Sequence, residues 1–339
     1  MGITLETLLT SAVKNNASDL HLSANCCPMV RIDGQLRKLE FPEISKDEVK
    51  TLLFSLLSAE QQERLDKEKD IDFACSFAGI GRFRVNCFTQ VRGLSAVFRT
   101  ISDSVPESSD LNIPDVVLSL ASSSQGLLLV TGPTGSGKST TLASLIDRIN
   151  REQNKHIVTI EDPIEFTHKS HHCLVHQREI GSDAISFERA LKAVLREDPD
   201  IIMIGELRDL QTMRLALTAA ETGHLVLASL HTQSAARTVD RIVDVFPAEE
   251  QGRVKSQLAD TLLGVISQRL LRLSGGGRIG CFETMVTTPA ISNLIREGRT
   301  VQIESAIQSG RQMGMQTLSQ AEEILRLSGI QLINDEMPS

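Results

Sequence analysis

Gly132-Pro133-Thr134-Gly135-Ser136-Gly137-Lys138-Ser139 fills every position of the phosphate-binding P-loop, a glycine-bounded loop closed by Lys and Ser. The apolar run Leu127-Leu128-Leu129-Val130 precedes it, and a segment of helical character follows from Thr140 to Ile149. That order of strand, loop and helix is the context in which the motif carries meaning. Glycines let the backbone take positive φ and come close to a ligand. Successive backbone N–H groups and a helix N-terminus offer partial positive charge to an anion. In such a loop Lys138 reaches the β and γ phosphates, the Ser139 hydroxyl takes one position on Mg²⁺, and Thr140 continues the contact into the helix. Gly132 to Thr140 therefore predict a site for a nucleoside triphosphate and Mg²⁺.

Three further apolar runs recur downstream between helix-like segments: Ile157–Ile160, Ile201–Ile204 and Leu225–Leu230. Continuous rather than alternating runs suit strands buried on both faces of a parallel sheet. Polar residues follow each run, at the strand edge where open α/β sheets bind ligands. Beyond Ala248 the pattern reads as largely helical, interrupted by Ser274-Gly275-Gly276-Gly277.

Upstream, the chain reads as a separate α+β unit. Leu5, Leu8, Leu9 and Ala12 have helical spacing, and Ser45 with Glu48 forms a capping-box pattern opening a helix that runs to Glu63. Ala17–Leu22, Met29–Ile32, Arg82–Phe88 and Ala96–Thr100 are strand candidates, with Asp33-Gly34 as a hairpin turn. Ser102 to Ser109, containing Pro106, is the best linker. The expected organisation is a first domain at 1–105, a linker at 106–112 and an ATPase domain at 113–339.

With 339 residues, 41% of them hydrophobic, the chain can support two or three cored domains. A net charge of −8 and the absence of Trp and Tyr argue against a nucleic-acid binder built on backbone neutralisation and aromatic stacking. The N-terminus, Met1-Gly2-Ile3-Thr4-Leu5-Glu6, has no basic region or apolar signal core, and no apolar stretch reaches membrane-spanning length. A cytoplasmic location is expected. None of the six cysteines forms a C-x-x-C pair, so no zinc ribbon is indicated and free thiols are expected.

Carboxylates gather after two of the runs. Glu161-Asp162-Pro163-Ile164-Glu165 places three acids where they can serve Mg²⁺ or orient a water, although a solvated acidic loop would look the same. Ile201-Ile202-Met203-Ile204-Gly205-Glu206 reads as a Walker B strand ending in an acid. His224 and His231 flank the fourth run, where a His can report on a γ-phosphate or simply satisfy the fold.

Together these pieces resemble the secretion-superfamily ATPases, and most closely the PilT family of type IV pilus retraction motors. Further words carry the resemblance: Ser18-Asp19-Leu20-His21-Leu22-Ser23, Leu195-Arg196-Glu197-Asp198-Pro199-Asp200, Val243-Asp244-Val245-Phe246-Pro247 and Gly314-Met315-Gln316-Thr317-Leu318. The resemblance implies a PAS-like N-terminal domain, a RecA-like P-loop domain with a helical C-terminal part, and a homohexameric ring that acts on an inner-membrane platform protein. By motif, it makes Glu165 the water-orienting carboxylate, Glu206 the Mg²⁺-linked acid, Glu161 part of the same acidic box, and His224 and His231 the couplers of nucleotide state to domain position. It also places N-terminal arginines near the phosphates, for which Arg84 and Arg99 are the candidates.

Two departures stand out. Ala290-Ile291-Ser292-Asn293-Leu294-Ile295-Arg296-Glu297 carries Ser292 where the family has Arg, which predicts weaker coupling of hydrolysis to movement but intact ATP binding. His168-x-x-His171-His172-Cys173-x-x-His176 has spacing compatible with zinc or nickel, although a polar surface strand is the favoured reading. Alternatives are an accessory PilU-like protein, an extension or secretion ATPase, and, in another class, a RecA-like nucleic-acid translocase. The missing tetracysteine element argues for the retraction branch.

Overall fold

The computed structural model describes residues 3–32, 34–101 and 104–333. Met1 and Gly2, Asp33 of the expected hairpin turn, and Ser102 and Asp103 of the expected linker lie outside the described residues. The chain divides into two compact units, Met1–Ser104 with Glu165–Thr167, and Val105–Ile164 with His168–Ser339.

The first unit runs α1 (Leu5–Lys14), β1 (Asp19–Ser23), β2 (Met29–Ile32), β3 (Gln35–Lys38), α2 (Lys46–Phe54), α3 (Ala59–Glu68), β4 (Asp70–Phe77), β5 (Gly81–Gln90) and β6 (Gly93–Ile101). Its strands form one antiparallel sheet in the order β3-β2-β1-β6-β5-β4. Leu5, Leu8 and Leu9 of α1 and Val49 and Leu53 of α2 are buried with Leu20, Leu22, Val85 and Phe98 of the sheet in one core. The Ser45–Glu48 capping box forms as expected. The single helix expected from Ser45 to Glu63 is instead two, because Ser58 opens a second capping box with Gln61 and restarts the chain as α3.

The second unit runs α4 (Asp115–Leu120), β7 (Gly126–Thr131), α5 (Lys138–Glu152), β8 (His156–Glu161), β9 (Leu174–Glu179), α6 (Phe187–Val194), β10 (Ile201–Ile204), α7 (Leu210–Glu221), β11 (Leu225–Leu230), α8 (Ala235–Asp244) and α9 (Ala248–Thr261). It continues through β12 (Leu262–Arg272), β13 (Arg278–Val286), α10 (Pro289–Glu297), α11 (Ile303–Ser309) and α12 (Leu318–Leu327). The sheet order is β13-β12-β7-β11-β10-β8-β9, parallel from β12 to β9, with β13 antiparallel at the edge. The four apolar runs are thus the four adjacent strands β7, β11, β10 and β8. Their residues alternate between two cores: Leu127, Leu129, Ile202 and Val226 face α6 to α9, while Leu128, Val130, Met203 and Leu227 face α4 and α5. This burial on both faces is what erased alternation from the sequence.

The largely helical tail is corrected in one respect. Leu262–Arg272 and Arg278–Val286 form a hairpin across the Gly275–Gly277 turn, and helices resume only at Pro289. Leu262-Leu263-Gly264-Val265-Ile266 is a fifth apolar run, and pairing with β7 buries it in the sheet.

Candidate nucleotide site at the strand ends

β7 delivers its chain into the loop at Gly132, whose φ is +146°. A Cβ there would stand 2.4 Å from the Gln268 carbonyl oxygen and 2.6 Å from Ser136 Oγ, so only glycine fits. Gly137, at φ +89°, caps α5, and a Cβ on it would lie 2.8 Å from Gln268 Nε2. The loop therefore rests on β12 through Gln268, which also accepts a 2.8 Å hydrogen bond from Thr141 Oγ1. Pro133, Thr134 and Gly135 are exposed at the loop's crest, with Gly135 at φ +79°. The Ser136 hydroxyl is buried inside the loop with no hydrogen-bond partner. Ser139 and Thr140 open α5, half-exposed.

Lys138 is buried, and its ammonium donates to the carbonyls of Gly132 at 2.8 Å and Pro133 at 3.0 Å. It also lies 3.3 Å from Nδ1 of His231, the residue that follows β11. An ammonium can only donate, so Nδ1 is the acceptor and the His231 proton sits on Nε2. That nitrogen is 3.0 Å from Glu206 Oε1. The other Glu206 oxygen accepts from Arg208 Nε at 2.8 Å, and Arg208 Nη1 stands 4.0 Å from Asp162 Oδ2. Lys138, His231, Glu206 and Arg208 thus form one directional hydrogen-bonded chain across the ends of β7, β11 and β10. The Arg208 guanidinium is held more firmly protonated by its hydrogen bond to Glu206.

The remaining predicted residues are placed differently. Glu161 ends β8 buried, accepting from Thr159 Oγ1 at 2.6 Å and Gln177 Nε2 at 3.2 Å. Glu165 is exposed and groups with the first unit. In that unit Arg84 and Arg99 are directly opposite each other on β5 and β6. Arg99 Nε is 2.9 Å from the buried Asp19 carboxylate, and Arg84 Nε is 4.0 Å from Asp72. His224 requires a correction. It precedes β11, beside Gly126 at the start of β7, and its Nδ1 lies 3.0 Å from the Ala219 carbonyl. The six residues of β11 separate it from His231, seven steps or about 23 Å at strand rise, so within one chain it does not reach the P-loop.

The His168–His176 segment does not converge on one point. His168 is buried with Nδ1 4.0 Å from Asp147, Cys173 is buried against α5, and His176 lies on β9 against His156. Among the described residues no cluster of metal-ligating side chains is arranged to hold an ion. Burial pulls the His168 pKa below the usual imidazole value, with Asp147 opposing. Ser292 Oγ donates to the Ala259 carbonyl at 2.9 Å, pinning α10 to the end of α9.

Arg208 and Gln268 were not legible in the sequence. Arg208 is an ordinary charge until Gly205 turns the chain back on itself, and Gln268 lies in the hairpin read as helix.

A family model described as type II/IV secretion system protein matches residues 2–330. The chain belongs to the type II/IV secretion system protein family. Within that family it is 51% identical over 323 residues to the type IV pilus retraction ATPase PilT of Pseudomonas aeruginosa, covering 95% of this chain and 94% of the relative. A twitching motility protein of Neisseria gonorrhoeae is 47% identical over 327 residues, covering 96% and 87%. A crystal structure of the pilus retraction motor PilT with bound ADP superposes with a TM-score of 0.93 at 44% identity, covering 99% of this chain and 96% of that one.

Proposed function

We propose that this secretion-family chain is an ATP-hydrolysing motor that powers retraction of a type IV pilus. It would act as a homohexamer at the cytoplasmic face of the inner membrane, on a platform protein of the pilus base. The observation that carries the reading is the Lys138–His231–Glu206 chain at the edge of a PilT-like parallel sheet. The resemblance to proteins named for pilus retraction supports the choice of substrate.

The residues present fit a bound nucleotide. Gly132 and Gly137 let the loop pack closely on Gln268 of β12, and the buried Ser136 hydroxyl is unpartnered. Ser139 and Glu206 supply hard oxygen donors suited to Mg²⁺. When bound, the ion would neutralise phosphate charge and polarise the terminal phosphoryl group. Lys138 exchanges loop carbonyls for phosphate oxygens, and the loop N–H groups bind the anion. That exchange would end the Lys138 N–H donation to His231 Nδ1, leaving the imidazole free to respond to the γ-phosphate. Glu206 is held against rotation from both sides, by His231 and Arg208. Glu165 is the proposed water-orienting carboxylate. Arg84 and Arg99 are the proposed arginines answering charge on the transferring group, Arg99 being aimed by Asp19.

The test is pilus number per cell in a clean deletion and in a Lys138→Ala replacement. Excess pili with lost retraction in both strains are expected. Bald cells would assign the chain to pilus extension, and unchanged pili would remove the pilus from the reading.

A further inference from the structure

Glu283 is a buried carboxylate outside the chain of contacts around Lys138. It lies on β13, 6% exposed, and its Oε1 accepts from the Ala235 N–H, the first of α8, at 2.7 Å. Burial raises its pKa above the ordinary carboxylate value, against the pull of that N–H and of the hydroxyl of Ser267, directly opposite on β12. Ser267 Oγ in turn accepts from Thr131 Oγ1 at 3.0 Å, and both residues are fully buried. Thr131 ends β7 one residue before Gly132, and it stands opposite Leu230 of β11, one residue before His231. Glu283, Ser267 and Thr131 thus form a buried polar row across β13, β12 and β7, which ends where the P-loop and the His231 link both leave the sheet.

The geometry points to Glu283 as a positioning residue for His231, acting through the first turn of α8. This rests on the nucleotide-site reading, in which His231 joins Lys138 to Glu206. The His231 side chain is half-exposed, so packing alone does not fix its ring. Its place is set by the backbone from which it hangs. The link from His231 to Ser234 is held at one end by β11, in register with β7, and at the other by the Ala235 N–H on Glu283. Ser234 already caps α8 through the Arg237 N–H, so Glu283 adds a tie to the sheet rather than the cap itself. A carboxylate at a helix N-terminus meets the positive end of the dipole, and a charged acceptor makes a stronger hydrogen bond than a neutral one. A carboxylate is also costly to bury, so packing does not account for one here. Hydrogen bonds weaken steeply as their geometry departs from the optimum, and the two His231 contacts have little slack.

The experiment measures steady-state ATP turnover and equilibrium binding of a fluorescent ATP analogue on the full-length chain, with Glu283→Leu made alone and together with His231→Phe. Glu283→Leu is expected to lower kcat about tenfold while changing nucleotide affinity less than about twofold. In the His231→Phe chain the same change should cost nothing further, because residues that act as one unit are not additive. Glu283→Gln, whose amide oxygen can still accept from the Ala235 N–H, should restore most of the turnover. Should the leucine variant fail to fold by circular dichroism, Glu283→Asp shortens the arm by one methylene, keeps the charge and carries the same cycle. Undiminished turnover, losses that multiply in the double variant, or a loss of nucleotide affinity matching the loss of kcat would each overturn the proposal. A His231→Phe chain that turns over normally would overturn the nucleotide-site reading as well, whereas a slow one with multiplying losses overturns this proposal alone.

Discussion

His231 Nε2 lies 3.0 Å from Glu206 Oε1 while its Nδ1 faces the Lys138 ammonium at 3.3 Å, so a single imidazole joins the P-loop lysine to the Walker B acid. Replacing His231 by Phe removes both contacts and leaves Glu206 to Arg208 alone. Turnover is expected to fall at least about tenfold, with nucleotide affinity changed much less. Steady-state hydrolysis beside equilibrium nucleotide binding checks this, and undiminished turnover would make the imidazole a spectator.

Lys138→Ala should abolish hydrolysis in a chain that still folds. The lysine is the donor to the Gly132 and Pro133 carbonyls, but both belong to a loop that water can reach once the side chain is gone. Circular dichroism and phosphate release on the same preparation decide the matter. Near-normal turnover by a folded variant would dismiss the P-loop assignment.

Glu206→Gln keeps the shape of the acid and its contact with Arg208 but removes the charge. The variant is expected to bind ATP and hydrolyse it poorly, visible as a trapped-nucleotide complex with slow phosphate release. Unchanged turnover would take Glu206 out of the mechanism.

Gly132→Ala and Gly135→Ala separate crowding from backbone strain. At Gly132 the added methyl meets the Gln268 carbonyl at 2.4 Å, whereas at Gly135 it meets nothing within 4 Å. The first should lose nucleotide binding and several kcal/mol of stability, the second only about 1 kcal/mol from its positive φ. Thermal melts with and without nucleotide distinguish them.

His168 gives a pH prediction. Its folded pKa is depressed by burial, so below the ordinary value of 6.5 the unfolded chain takes up a proton that the folded chain refuses. Stability is complete above that value and declines as pH falls toward the depressed one. His168→Gln should therefore lose less stability than the parent between pH 7.5 and pH 5, on urea midpoints taken at each pH. Parallel losses would mean that other groups govern the acid limb.

The fold was legible wherever burial imposed a pattern. β7, β8, β10 and β11 announced themselves as apolar runs broken only by Thr159 and Ser229, because both faces of each are covered. β12 escaped because its polar half, Ser267-Gln268-Arg269, lies behind the P-loop and breaks the run just where it matters. The site's members could be named, but their wiring could not. His224 and His231 share one motif and lie at opposite ends of one strand, a fact set by strand register rather than by spacing. Likewise, nothing in the letters shows that Arg208 donates to Glu206, a contact between two side chains beyond the end of β10.

His231 and Glu206 follow the ends of β11 and β10, and Lys138 opens α5 beyond the loop that leaves β7, the strand beside β11. Hydrogen bonds tolerate only a few tenths of an ångström before they weaken. The three side chains therefore act as a vernier across the strand ends: a slip of any one strand along its neighbours is read at once as a broken contact at the phosphate, and a phosphate gained or lost pulls on the alignment of all three.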